Sequence, residues 1–141
     1  MDVLVDASAI MAVILNEPNR SIVISLTERA TLLSPDVISF EIGNALIGLF
    51  KKRKITEEKL LEAYRNYCLI PIRSVKVDIE KALKIACKFK IYAYDAYYLE
   101  TAHRLKVPLI TFDVSMEKVG QELKIDIPGK IAGRRNKDEG F

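Results

Sequence analysis

Four of the 19 acidic residues lie in segments whose composition indicates burial. Asp6 and Asp113 each end an apolar run of the kind that forms a buried parallel strand. Glu41 lies in a helix-like segment that is apolar on nearly every side, and Asp95 is flanked by tyrosine and alanine residues. A carboxylate buried alone has a desolvation cost large enough to protonate it. Four such groups in one small chain therefore indicate a common compensating partner.

A divalent metal ion is the compensation that these residue types favour. Carboxylates without histidine or cysteine partners are hard oxygen ligands, which suit Mg²⁺ or Mn²⁺ rather than zinc or copper. The single His103 and the two cysteines, Cys68 and Cys87, stand at no metal-ligand spacing. A carboxylate-bound metal can neutralise phosphate charge and generate hydroxide for phosphodiester hydrolysis. Any one of the four acids, taken singly, could instead be a helix cap or a salt-bridge partner.

The apolar pattern predicts strands that alternate with helices along the whole chain. Short apolar runs predict strands at residues 3–5, 32–33, 69–72, 107–111 and 125–127. Helical periodicity and capping residues predict helices at about 9–15, 18–30, 37–53, 56–67, 78–89, 94–105 and 115–123, the first of them capped by Ser8. This alternation indicates a three-layer α/β/α fold with a central, mostly parallel sheet. We expect one domain over residues 1–128 and a polar, basic tail over 129–141.

The predicted strands place the acids at one edge of the sheet. Ligands of open parallel sheets bind beyond the carboxyl ends of the strands. Asp6 and Asp113 are placed there by the strand assignment itself, and the helices that follow the strands can bring Glu41 and Asp95 to the same edge. The residues therefore predict one acidic centre rather than four separate charges.

In order and spacing these segments resemble the PIN domain family. The matching features are Asp6 after the first hydrophobic strand, the helical run 41–46, the run 94–99 around Asp95, and the run 109–113. The resemblance extends from residue 1 to about 127, and the layout is similar to the VapC-type toxins of prokaryotic toxin–antitoxin pairs. It implies a PIN-like fold and a Mg²⁺- or Mn²⁺-dependent endoribonuclease that cleaves RNA. It also implies a homodimer that is held silent by a cognate antitoxin protein.

The resemblance assigns roles to individual residues. The family's catalytic and metal-binding acids correspond to Asp6, Glu41, Asp95 and Asp113. Its supporting polar positions correspond to Ser8, Asn44 and Thr111. Asn44 follows Glu41 by three residues on one helix face, where it can hydrogen-bond Glu41 or a metal-bound water. Many relatives carry a second Asp or Asn two positions after the last acid, but Ser115 stands there, which leaves its part in metal binding open.

Other classes of protein also place an aspartate after a first strand. A Mg²⁺-dependent aspartate phosphatase requires a second Asp two residues after Asp6, where Ser8 stands. A receiver-like domain pairs acids near the first strand and carries a lysine at a late strand end. Neither class accounts for Glu41 or Asp95. A catalytically silent PIN fold that serves as a binding module stays open as an alternative.

The remaining features concern partners and location. The net charge of +3 is compatible with a nucleic-acid partner, and the basic run 51–54 either complements a helix C-terminus or contacts an RNA backbone. No apolar run reaches the roughly 20 residues of a bilayer span, and the chain starts without a basic leader. We therefore expect a cytoplasmic protein with no membrane association. The two cysteines are expected to be buried and reduced, although a disulfide stays possible in a hyperthermophile.

Two groups of apolar and aromatic residues could serve either the core or a partner. The first helices carry residues that we expect to be exposed and to accept an antitoxin helix or a second copy of the chain: Met11, Ile14, Leu15 and Ile22. The four tyrosines at 92, 94, 97 and 98 could stack on bases, but their spacing favours packing in the core.

Overall fold

The computed structural model describes residues 1–129, and four short strands form its central sheet. The strands are β1 (Asp2–Val5), β2 (Thr31–Pro35), β3 (Ile72–Val75) and β4 (Leu109–Ile110). They run parallel in the order β3-β2-β1-β4, so β1 lies in the interior of the sheet and β3 and β4 form its edges.

Seven helices connect and cover the strands in the described part of the chain. They are α1 (Ala7–Ile14), α2 (Arg20–Thr27), α3 (Val37–Lys51), α4 (Glu57–Cys68), α5 (Ile79–Phe89), α6 (Ala93–Leu105) and α7 (Val114–Glu122). Four of them begin with an aspartate or threonine side chain that accepts a backbone N–H of the first turn, at Asp6, Thr56, Asp78 and Asp113. These caps satisfy N–H groups that have no partner within their own helix.

The side chains of β1 alternate between two hydrophobic cores. Val3 and Val5 pack with α1, α2, α3 and α4 on one face of the sheet. Leu4 points to the opposite face and packs with β2, β4, α6 and α7. This period-two alternation, with helices on both faces, makes the sheet that contains β1 the middle of three layers. The predicted α/β/α architecture with a parallel central sheet is confirmed.

The sheet register brings the carboxyl ends of β1 and β4 together. Val5 pairs with Ile110, so the residues that follow these two strands are neighbours. On the other side, the buried Ser34 of β2 donates its hydroxyl to the carbonyl oxygen of Val5 at 2.9 Å. The three strand ends are therefore fixed relative to one another at the edge where the sequence places the acids.

The predicted last strand, 125–127, is wrong. Ile125 and Ile127 are buried, but the segment forms no strand and joins β4 through one backbone bond, from Leu109 N–H to the Asp126 carbonyl at 2.9 Å. Lys124 has a left-handed backbone with φ of 59°, which reverses the chain after α7. A β4 of two residues offers too short a ladder for another strand to extend along it.

Other element boundaries also differ from the prediction. The third strand begins at Ile72, because Pro71 has no N–H to donate to a ladder, although its predicted edge position is confirmed. The second helix is shorter than predicted and covers only Arg20–Thr27. Both cysteines are free and exposed, so the predicted burial of their thiols is wrong.

Within residues 1–129, no helix combines the length and the apolar composition that a bilayer-spanning helix needs. Apart from Gly129, the predicted tail over 129–141 lies outside the described residues.

Candidate active site

Asp6 is the most enclosed of the four acids. It follows β1 directly, is 3% exposed, and serves as the N-cap of α1, with its Oδ1 accepting the Ala9 N–H at 3.0 Å. The Ser8 hydroxyl donates to the same oxygen at 2.7 Å, and the Thr111 hydroxyl donates to Oδ2 at 2.5 Å. The predicted cap, Ser8, is therefore wrong, and Ser8 instead orients the true cap. Because both oxygens of Asp6 have protein donors, its orientation is fixed by the fold.

The loop after β4 is locked to the loop after β1 by the same hydroxyl groups. The oxygen of Ser8 accepts the Phe112 N–H at 2.9 Å, and the oxygen of Thr111 accepts the Asp113 N–H at 3.0 Å. Asp113 in turn caps α7 through its Oδ1, which accepts the Met116 N–H at 3.0 Å. These bonds fix Asp113 at the same edge as the acid that follows the central strand.

Glu41 has a partner that the sequence did not identify. It is half-buried on α3, and its Oε1 accepts the hydroxyl of Tyr98 at 2.5 Å. Tyr98 is 1% exposed and follows Asp95 by one turn of α6, so the core location predicted for its ring is confirmed. Two signals could have revealed the bond: a buried tyrosine hydroxyl needs a partner, and residues three apart share a helix face.

Burial raises the pKa values of three of the acids. The pKa of Asp95 rises to about 6, chiefly through burial, and the carboxylates of Asp113, Glu41 and Asp6 raise it further. Burial also raises the pKa of Asp6 to about 6, although its three hydrogen bonds oppose the rise. Burial likewise raises the pKa of Glu41, against the lowering effect of its bond from Tyr98. The charge of Asp113 contributes to the rise of the pKa of each of the other three acids, so the four carboxyl groups lie within electrostatic reach of one another.

No protein cation balances this negative charge in the described part of the chain. The ion pairs found within residues 1–129 join Arg73 to Asp2, Lys84 to Glu80 and Arg104 to Glu100, and none includes a site acid. Buried carboxylates without a cation are an unfavourable arrangement for stability alone. The cluster is therefore suited to bind a positive ligand.

The carboxylate-only donor set fits a hydrated Mg²⁺ or Mn²⁺ ion. Among the described residues, no three His, Cys, Asp or Glu side chains converge as a group that could by itself hold a metal ion. Magnesium commonly binds one or two carboxylates and keeps several waters, so it does not require such a group. The residues that could hold the ion are Asp6, Glu41, Asp95 and Asp113, whose carboxylate oxygens each have more than one lone pair to offer.

Two of the supporting residues form no hydrogen bond with the acids in the described part of the chain. Asn44 and Ser115 are exposed, and within residues 1–129 neither has a hydrogen bond to the site. Glu41 is held by Tyr98 and not by Asn44. The structure thus bonds Ser8 and Thr111 to Asp6, and leaves Asn44 and Ser115 at the surface.

The aromatic residues beside the acids are more exposed than predicted. Tyr92 is 81% exposed, and Tyr94, also exposed, meets Tyr97 edge-on with ring centroids 5.8 Å apart. Phe40, the neighbour of Glu41 in sequence, is exposed as well. Core packing was the wrong expectation for Tyr92 and Tyr94, because Tyr92 is the N-cap of α6 and Tyr94 lies in its first turn, where the helix faces solvent.

A cavity lies at the C-terminal end of α1, opposite the end that Asp6 caps. A cavity of about 870 Å³ is lined by Leu15 of the α1 C-cap, by Leu49 near the end of α3, and by Ile55 and Ala63 at α4. Met11 and Ile14 are buried in the chain's own core, so their predicted exposure is wrong. Of the four residues predicted to line a groove, Ile14 and Leu15 border this cavity and Met11 and Ile22 do not; charged residues such as Arg20 and Lys59 make its lining mixed rather than apolar.

The fold and the acids together define a class: a three-layer α/β/α domain with a carboxylate centre at the carboxyl ends of its parallel strands. A model of one such family, described as the PIN domain, matches residues 3–122. The match covers most of the chain, and the chain belongs to the PIN domain family.

Solved structures share the fold at low sequence identity. PAE2754 from Pyrobaculum aerophilum is 21% identical with a TM-score of 0.62, covering 88% of this chain and 90% of that one. VapBC-1 from nontypeable Haemophilus influenzae is 18% identical with a TM-score of 0.61, covering 90% and 96%. FitAcB from Neisseria gonorrhoeae is 16% identical with a TM-score of 0.56, covering 89% and 95%. Comparison with curated proteins gives no significant match.

Proposed function

We propose that this chain is a Mg²⁺- or Mn²⁺-dependent endoribonuclease and the toxin of a VapBC-type toxin–antitoxin pair. The observation that carries the proposal is the cluster of four mutually interacting carboxylates that no cation balances within residues 1–129. A silent binding module would have no need to keep such a destabilising arrangement. Membership of the PIN domain family supports the same conclusion.

The burial of the acids suggests a division of labour. Asp6, enclosed and held by Ser8 and Thr111, would hold the metal ion. The half-buried Glu41 and Asp95 would be open both to a bound ion and to solvent, where either could orient a water and accept its proton. Asp113 completes the site from the start of α7. The bound ion would neutralise the scissile phosphate and supply hydroxide.

The proposed function also implies three partners: an RNA substrate, an antitoxin and a second copy of the chain. The substrate is RNA, and the mild positive charge of the chain favours its approach. The likeness in fold to VapBC-1 and FitAcB supports an antitoxin partner. Its proposed docking site is the cavity lined by Leu15 and Leu49, where charged residues surround the apolar ones. We further propose a homodimer, located in the cytoplasm, with residues 1–128 as one nuclease domain and 129–141 as a basic tail.

A cleavage assay tests this function. The purified chain should cut RNA in Mn²⁺ or Mg²⁺ and lose all cleavage in EDTA. Asp95→Asn removes one site charge at constant size and should abolish cleavage, whereas Asp126→Asn, an exposed acid away from the site, should leave it unchanged. RNA cleavage that persists in EDTA with metal shown to be absent would refute the mechanism. Metal binding without cleavage of any RNA would favour the silent binding module.

A further inference from the structure

Tyr98 joins the two helices that carry site acids. Its ring lies in the core beside Leu4, Leu99 and Leu109, where close packing leaves it no freedom to move. Its hydroxyl emerges at the acidic edge and donates to Glu41 across a separation of 57 residues in sequence. The tyrosine therefore presents a donor at a fixed point in space.

Glu41 depends on that donor for its orientation. A half-buried glutamate samples several rotamers when nothing holds it. In residues 1–129, Tyr98 gives the only hydrogen bond to the carboxylate of Glu41, and it engages Oε1. The second oxygen, Oε2, is left available on the side chain.

The geometry points to Tyr98 as a positioning residue that holds Glu41 with one oxygen free for a hydrated divalent ion. This inference rests on the proposed metal site. Hydrogen-bond partners of metal ligands fix the orientation of those ligands, and their loss commonly weakens metal affinity by about 10- to 100-fold. A purely structural tyrosine, by contrast, would affect folding and leave metal affinity alone.

The test replaces the hydroxyl and keeps the ring. Tyr98→Phe should weaken Mn²⁺ binding by about tenfold or more, measured by titration calorimetry without RNA. In cleavage assays, the Mn²⁺ concentration for half-maximal rate should rise by a similar factor, and saturating Mn²⁺ should restore most of the rate. A denaturant melt in EDTA checks that the variant is folded.

Two further variants test whether the loss of Mn²⁺ affinity in Tyr98→Phe acts through Glu41. Tyr67→Phe removes another tyrosine hydroxyl that bonds α3, at Ser39 with an O···O distance of 3.0 Å, and should leave Mn²⁺ affinity unchanged. In a Glu41→Gln background, Tyr98→Phe should change the affinity by less than about twofold, because its effect passes through Glu41. Equal losses from Tyr98→Phe in both backgrounds would overturn the inference.

The outcome separates this inference from the nuclease proposal. If the wild type binds Mn²⁺ but cleaves no RNA, the nuclease is refuted, and the calorimetric comparison still decides the role of Tyr98. If the wild type binds no Mn²⁺, or if Tyr98→Phe binds it as tightly as the wild type, the positioning role is refuted.

Discussion

Asp6→Asn should make the metal-free protein more stable while removing its activity. Burial raises the pKa of Asp6 from 3.8 to about 6, a difference of about 2 units. At about 1.4 kcal/mol per unit, ionised Asp6 costs the folded state about 3 kcal/mol at neutral pH. Relaxation of the site reduces that figure, so we expect the free energy of unfolding to rise by about 1–3 kcal/mol. The amide can still accept the hydrogen bonds from Ser8 and Ala9.

The stability gained in Asp6→Asn should depend on pH, in a direction set by the raised pKa of Asp6. A carboxyl group whose pKa is higher in the folded state holds its proton more tightly there than in the unfolded chain. The contribution of Asp6 to stability is therefore greatest near pH 4 and is lost as the pH rises to about 6. The stability difference between Asp6→Asn and wild type should be near zero at pH 4 and should reach its maximum above pH 6. Urea unfolding in EDTA at several pH values measures it.

Glu100→Gln is the matched control. Glu100 is 2% exposed, as enclosed as Asp6, but its Oε2 accepts Arg104 Nε at 2.7 Å. Loss of this charge-assisted bond should destabilise the fold by about 1.5–3 kcal/mol at pH 7.5. Mn²⁺ at 100 times its Kd should stabilise the wild type by about 2.7 kcal/mol and Asp6→Asn far less. If Asp6→Asn were destabilised like Glu100→Gln, Asp6 would be an ordinary structural acid.

Three further predictions follow from the site and the surface. Mn²⁺ affinity should fall by about tenfold or more between pH 7.5 and 5, because protons compete with the metal for Asp6 and Asp95, each with a pKa of about 6; calorimetry that shows a constant affinity would contradict this. Thr111→Val removes a buried hydroxyl that both donates to Asp6 and accepts a backbone N–H. The free energy of unfolding should therefore fall by about 1–3 kcal/mol in urea melts, and unchanged stability would argue against these hydrogen bonds. Cys68 and Cys87 should both react with a thiol reagent in the native protein, giving two adducts by mass spectrometry; labelling only after unfolding would place them in the core.

The positions of the acids were predictable because strand ends can be read from the sequence. The apolar run before Asp6 and the one before Asp113 identified β1 and β4, and parallel strands bring their carboxyl ends to one edge. Ser8 was identified as a supporting residue but given the wrong task. Aspartate and serine are equally good helix caps, so sequence alone does not say which of two nearby candidates takes the position.

Long-range packing accounts for the features that the sequence did not reveal. The partner of Glu41 lies 57 residues away, on a helix that reads as core. The burial of Met11 and Ile14 depends on how α1 docks against α3 and α4, which no local pattern specifies. Residues 125–127 form no strand because their neighbour, β4, is only two residues long. This length depends on packing across the whole sheet and not on the local sequence of 125–127.

The hydroxyl bond from Thr111 to Asp6 has a consequence for the synthesis of the protein. It joins residues 105 positions apart, and the sheet order places the first strand made beside the last. A growing chain emerges from its N-terminus, so it can complete three strands before β4 exists. Until residue 113 has emerged, Asp6 lacks one of its donors and the last acid is absent. All four site acids are therefore present only when most of the chain has been made.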